Sequence, residues 1–206
     1  MGGRGYHAVI DMKTDGKKIT ILPGEYHASN GRVVIETQLG SCVAACLYDP
    51  VNGILGMNHF LLSSRRYAQS GSLCVTDAGR YGVQAMELLI NDMLRIGAKR
   101  AYLKAKVFGG GSFFRSTGEK DNFLCVGEVN SRFILEFLAN DGIPLMASDL
   151  GGESGRRIWF SSADYSVMVR KTRTSAMSGV LKQERKWWEK TMDGRDQAAP
   201  EPELWG

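Results

Sequence analysis

The sequence predicts an α/β protein: a single layered domain with mixed β-sheets and helices packed outside. Three observations carry this. Short β-type runs outnumber helical ones, the two kinds do not alternate strictly, and 206 residues suffice for one domain with a sizeable core of its own. A doubly wound parallel sheet requires stricter alternation, so mixed or stacked sheets fit better.

Residues 1–18, MGGRGYHAVIDMKTDGKK, are rich in Gly and Lys and read as a flexible N-terminal lead-in. A strand-like pulse, ITIL, then reaches the turn-forming PGEY at 23–26. VVIET (33–37), CVAACLY (42–48), ILGMNHFLL (54–62) and AYLKAKVF (101–108) follow as β-type runs. The first helix is expected from Asp77, an N-cap residue, to Gly97, which suits a left-handed C-terminal position. Its Val83, Met86, Leu89, Ile90, Met93 and Leu94 recur at three and four, the pattern of one buried face. A second helix is expected after Asn130 or Ser131, stopping at Gly142, and IPLMAS, RRIWFSS and YSVMVRK supply further strands. The folded domain thus spans 19–171. Residues 172–206 form a C-terminal extension, with a helix over SGVLKQERKWWEKTMD whose apolar points are Val180, Leu181, Trp187 and Trp188, then a flexible tail, GRDQAAPEPELWG. The tryptophans are expected first to pack on the domain, next to cover a partner surface, and last to anchor a docking helix.

Twenty-six basic residues against 22 acidic give a net charge of +4, spread along the chain. This mildly favours an acidic partner surface and argues against nucleic acid. No apolar run reaches transmembrane length, so no membrane insertion is expected, and Tyr6 stands where a myristoylation signal wants Ser or Thr. The cysteines at 42, 46, 74 and 125 form no CxxC pair, and nothing at the N-terminus reads as a signal segment, which fits free thiols in a cytoplasmic location.

The stretch QLGSCVAACLYDPVNGILGMNHF poses the functional question. Two β-type runs flank the turn DPVNG, and positions 42 and 59 average to its centre. A symmetric hairpin would set Cys42 opposite His59, with Cβ atoms about 4.5 to 5.5 Å apart. A five-residue loop would instead set Cys42 opposite Phe60 and turn His59 away unless a bulge intervened. If the contact forms, an imidazolium lowers the thiol pKa and the pair stores a nucleophile beside a proton donor. Backbone N–H groups at Gly40 and Ser41 are then oxyanion-hole candidates. Periodicity alone favours a packed core thiol for Cys42. A zinc site is weaker still, and no cofactor is called for. Cys46, Cys74 and Cys125 read as core or surface thiols. The Gly-rich KVFGGGS and DLGGESGRR match neither a P-loop nor a dinucleotide fingerprint, so tight turns near the site are the expected role. At most one of Arg156 and Arg157 can face that site.

LGSCVAACLYDPVNGILGMNHFLL, RYGVQAMELLINDMLRIGAKR, LKAKVFGGGS and FLANDGIPLMASDLGGESGRRIWF, in this order, resemble the CheD family of bacterial chemoreceptor glutamine deamidases from about Leu22 to Lys171. The resemblance implies hydrolysis of receptor glutamine side chains to glutamate and ammonia through a cysteine thioester, on a layered fold related to a deamidating toxin. It implies chemoreceptor cytoplasmic helices as substrate and, in some members, a CheC-type phosphatase as partner. The family's Cys/His/Thr triad falls on Cys42, His59 and Thr37, with Glu36 as the alternative third residue because the threonine stands one place nearer the cysteine than in some members. Ser63 and Val129 depart from the residues usual there. The alternative function is a non-catalytic adaptor that binds receptors or a CheC-type phosphatase, and a redox thiol at Cys42 comes third.

Overall fold

The computed structural model describes residues 16–62, 74, 77–112, 126–173 and 177–196. Among the described residues nine strands form two mixed sheets. The first has the order β1-β3-β8-β9, from β1 (Lys17–Thr20), β3 (Val33–Leu39), β8 (Gly155–Ser161) and β9 (Val167–Thr172), with only β1 and β3 parallel. The second has the order β2-β5-β4-β6-β7, from β2 (Tyr26–Ser29), β5 (Ile54–Asn58), β4 (Val43–Asp49), β6 (Lys104–Gly109) and β7 (Leu145–Leu150), with only β6 and β7 parallel. The α/β fold class with mixed sheets is therefore as expected.

Strand alternation builds two cores. Even-numbered residues of β4, with Leu55 and Met57 of β5, face the first sheet and pack with Ile35, Leu39, Ile158 and Phe160. Odd-numbered residues of β4, with Ile54, face α1 (Asp77–Arg95) and α2 (Val126–Asn140), meeting Met86, Leu89, Ile90, Met93, Phe133 and Phe137. The layers run sheet, sheet, helices. Both helices end as expected at left-handed glycines, Gly97 (φ 110°) and Gly142 (φ 66°). Ala98 N–H bonds to Met93 O and Ile143 N–H to Leu138 O, satisfying carbonyls the helix leaves open. No helix among the described residues is long and apolar enough to cross a membrane.

Several boundaries differ from expectation. β1 opens at Lys17, inside the stretch read as a lead-in, and pairs with β3. β2 follows the PGEY turn although its YHAS carries no long apolar run; its pairing to β5 makes it a strand. The first residues of AYLKAKVF lie in a 3-10 turn, Arg100–Tyr102. The second helix starts at Val126, before the expected Asn130 or Ser131, because Val126 and Val129 are buried and Gly127 lies against the backbone of Gly110 and Gly111. Tertiary packing starts this helix. Asp77 opens α1, though its side chain, together with Ser63 and Cys125, falls outside the described residues.

The hairpin register corrects both expectations. Cys46 pairs with Met57, Asp49 with Ile54, and Val43 bridges Phe60, so continuation of the ladder sets Cys42 against Leu61. His59 stands two residues along, diagonal to Cys42 on the same face. The cause is Asp49, which pairs with Ile54 and folds its side chain over the turn. Its Oδ1 accepts from Val51 N–H at 2.9 Å and Asn52 N–H at 3.0 Å, while Oδ2 accepts from Asn52 Nδ2 at 2.6 Å and Lys99 N–H at 2.9 Å. Burial alone would raise the Asp49 carboxyl, but these donors hold it below the usual carboxylate range.

A folded-state pKa below the unfolded value contributes stability above the unfolded pKa, about 3.9, and loses it as pH falls through the folded value. Asp49→Ala should destabilise the fold at pH 7 by roughly 1.5–3 kcal/mol, since the hydrogen bonds from Val51, Asn52 and Lys99 to its buried carboxylate are lost. In urea melts from pH 7 to 2, the gap between this variant and the parent should narrow only on the acid side.

Candidate active site

Thr37, Cys42 and His59 meet in the gap between the sheets. On β3 the inward side chains are odd-numbered, so Thr37 faces the gap with Ile35 and Leu39 while Glu36 turns to the other face. Cys42 and His59 belong to the inward set of the second sheet. His59 is pinned through its backbone, its N–H donating to Glu25 O at 2.9 Å and its carbonyl accepting from Gly24 N–H at 2.7 Å.

The Thr37 hydroxyl gives its one proton to Ile21 O at 2.8 Å, so toward His59 Nδ1, also 2.8 Å away, its oxygen accepts. The neutral ring therefore carries its proton on Nδ1 and leaves Nε2 as a bare acceptor. That nitrogen is buried and takes no hydrogen bond among the described residues. Glu36 serves elsewhere. Its carboxylate binds Lys18 at 3.0 Å, Thr20 at 2.9 Å and Arg157 at 3.0 Å, so Thr37 is the residue in contact with the imidazole.

Facing Nε2 is a residue the sequence reading did not single out. Glu184, on α3 (Ser178–Asp196), is fully buried, and its Oε1 lies 4.0 Å from His59 Nε2. Oε1 accepts from Gly40 N–H at 2.7 Å and Cys42 N–H at 3.4 Å; Oε2 accepts from Ser41 N–H at 2.8 Å and Ser41 Oγ–H at 2.9 Å. Three successive backbone N–H groups thus converge on one carboxylate, an arrangement able to stabilise an oxyanion. The turn's carbonyls are held from behind. Gly40 O accepts from Gly111 N–H, Cys42 O from Gly110 N–H, and Ser41 O from Asn130 Nδ2, whose Oδ1 accepts Leu62 N–H.

The two Gly-rich stretches meet here as tight turns, Gly151 N–H donating to Gly109 O and Ser112 N–H to Gly152 O. At Gly109 (φ 116°) a Cβ would collide with Cys42 O. Arg156 is buried and braces this loop through Asp149 at 2.8 Å and Gly151 O at 2.6 Å. Arg157 lines a cleft of about 110 Å3 with Thr37, His59, Val180 and Gln183. The two arginines point to opposite faces of β8, Arg156 to the side of Ile158 and Phe160 and Arg157 to the side of Glu36.

Burial pushes the Cys42 thiol well up, and the nearby Glu184 carboxylate adds to this. Burial pushes His59 down to about 3. The stored thiolate and imidazolium expected from the sequence are therefore not the resting state here; thiol and imidazole are both neutral, because neither charge is solvated. Burial also pushes the Glu184 carboxyl up, against the pull of its donors from Gly40, Cys42 and Ser41. Cys42, His59 and Glu184 offer ligand atoms within 4.8 Å of one another, the set among the described residues that could hold a metal ion. Both carboxylate oxygens already accept backbone N–H groups, which fits a hydrogen-bonded anion better than a cation. Cys46 is buried in the core between the sheets, and burial raises its thiol.

The sequence held one signal for Glu184: an acid standing between Leu181 and Trp188 at helical spacing, on the face that should be apolar. Asn130 carried a comparable signal as a polar residue within a buried helix face.

The family model described as CheD chemotactic sensory transduction matches residues 61–171. The chain is 52% identical over 187 residues to the Geobacter sulfurreducens protein named probable chemoreceptor glutamine deamidase CheD 1, covering 91% of this chain and 93% of that one. It is 40% identical over 194 residues to a probable chemoreceptor glutamine deamidase CheD 2 of Chromobacterium violaceum, covering 93% and 90%. A solved structure, hypothetical protein YfiH of Bacillus licheniformis, overlays loosely, with a TM-score of 0.37 at 18% identity over 62% of this chain and 51% of that chain. By the family match and by the extent and identity of its relatives, the chain belongs to the CheD family.

Proposed function

We propose that this chain is a cysteine-dependent protein-glutamine glutaminase that hydrolyses glutamine side chains of chemoreceptor cytoplasmic helices to glutamate and ammonia. The observation that carries this reading is the buried carboxylate held between Cys42, His59 and three backbone N–H groups, in a chain whose relatives are named chemoreceptor glutamine deamidases. A cytoplasmic location and a CheC-type phosphatase as second partner belong to the same reading.

Cys42 is the nucleophile. As its sulfur attacks the glutamine Cδ, His59 Nε2 takes the thiol proton, which suits a neutral pair in a site that solvates no charge. The oxygen of the tetrahedral adduct gains its charge against the N–H groups of Gly40, Ser41 and Cys42. The imidazolium returns the proton to the amide nitrogen, the C–N bond breaks, and ammonia leaves a thioester. Water, deprotonated by the same nitrogen, then breaks the C–S bond to give glutamate and the thiol. Thr37 is a positioning residue: its hydroxyl accepts from Nδ1–H, fixes the reactive tautomer, and steadies the imidazolium while it lasts.

With a fully amidated receptor cytoplasmic region as substrate, ammonia and glutamine-to-glutamate conversion should be measurable together by enzymatic assay and peptide mass spectrometry. Cys42→Ala should abolish both while leaving the circular dichroism spectrum intact; conversion retained in a pure sample would sink the cysteine mechanism. Thr37→Val should lower kcat by about ten- to a hundredfold with KM little changed, and Thr37→Ser should recover most of it. An unchanged kcat in Thr37→Val would remove Thr37 from the site.

A further inference from the structure

We propose that α3 is an intramolecular product mimic: Glu184 holds the place of the glutamate side chain that the reaction forms, and a glutamine presented on an α-helix gains the site by displacing it. The proposal rests on the deamidase reading and adds to it a substrate geometry and a built-in inhibitor.

The site as it stands is closed. Cys42 is 0% exposed, His59 1% and Glu184 0%, so no other chain can reach the thiol while α3 is seated. The group filling it is the one that hydrolysis would leave, a glutamyl carboxylate against Cys42, His59 and the three N–H groups of the turn. Its hydrogen bonding matches the acid rather than the amide. Each oxygen accepts a backbone N–H at 2.8 Å or less, so an amide nitrogen in either place would face a donor with a donor.

The approach is that of a helix to a groove. At Gly40 a Cβ would lie 2.7 Å from Glu184 Oε2 and 2.8 Å from Leu181 Cδ2, so glycine is what lets the helix reach the turn. Leu181, Glu184 and Trp188 follow one another at three and four and form the seated stripe, with Met177 ahead of them packed against Gly155. Trp187 lies over Gly24, with its ring 5.6 Å from that of Tyr81. A competing substrate helix would therefore carry its glutamine with apolar residues three before and four after it. The Glu184 carboxylate also opposes ionisation of the thiol beside it, so seating α3 blocks the nucleophile electrostatically as well as sterically.

The test uses the full chain as wild type, Glu184→Ala, Glu184→Gln and Glu184→Gln combined with Cys42→Ala. Iodoacetamide labelling of Cys42 and conversion of the receptor region should both accelerate in Glu184→Ala, by at least about tenfold if the open fraction limits the wild type. In Glu184→Gln, residue 184 should revert to glutamate by the same chemistry, consuming one water and releasing ammonia, at a rate independent of protein concentration and only with Cys42 present. This mass readout stands even if Glu184→Ala fails to fold. Reversion at 184, or faster labelling together with faster receptor conversion, supports the proposal. A glutamine that persists at 184, with labelling and receptor conversion no faster in Glu184→Ala, overturns it, and wild-type receptor conversion would then leave the deamidase reading standing. Reversion without receptor conversion would keep the mimic and remove the receptor as substrate. No conversion of any glutamine would overturn both.

Discussion

The turn Gly40-Ser41-Cys42 leaves three successive backbone N–H groups aimed into a buried space, and the structure is organised around satisfying them. Buried amides without acceptors cost about 1–3 kcal/mol each, so the turn requires an acceptor. Its carbonyls are taken by Gly110, Gly111 and Asn130, which fixes the N–H groups in direction. The Gly-rich loop after β6 and Asn130 of α2 supply those partners. Only the N–H side is left for a ligand, and in this structure Glu184 supplies it.

The same burial sets the electrostatics. A thiol and an imidazole buried between two sheets both stay neutral, the imidazole pushed down to about 3. Reactivity then depends on geometry rather than on a stored ion pair. Nε2 is left bare because Thr37 has committed its proton to Ile21 O and accepts from Nδ1–H, and Cys42 and Glu184 lie within 4.8 Å of the imidazole. That orientation needs both sheets at once, with Thr37 on one and Cys42 and His59 on the other. A shift of one residue in β3 would present Glu36 instead, whose charge is already bound by Lys18 and Arg157.

Seating α3 balances opposed effects. A buried carboxylate without partners costs several kcal/mol, and four hydrogen bonds from the turn offset that cost. Trp188 is buried and Leu181 half-buried on either side of Glu184, where an apolar side chain contributes on the order of 1.5–3 kcal/mol if fully buried and less if partly so. The favourable part is therefore apolar and local, and the polar part is close to balance. Such a helix can be held firmly and still yield to a second helix that offers the same contacts.

Much of this was legible in the chain. Short β-type runs bounded by turns marked most of the strands and put Cys42 and His59 on two such runs joined by a turn, and three-and-four periodicity with terminal glycines defined α1 and the end of α2. Local rules suffice for these features because they depend on neighbours within a few residues. The register of the hairpin did not follow from its sequence, since it turns on how Asp49 folds over its own loop and reaches Lys99. The choice of Thr37 over Glu36 and the entry of Glu184 into the turn were likewise decided only by tertiary structure. Each joins residues far apart in the chain, 22 positions for Thr37 and His59 and 144 for Gly40 and Glu184, and no local propensity encodes which distant donor will meet which acceptor.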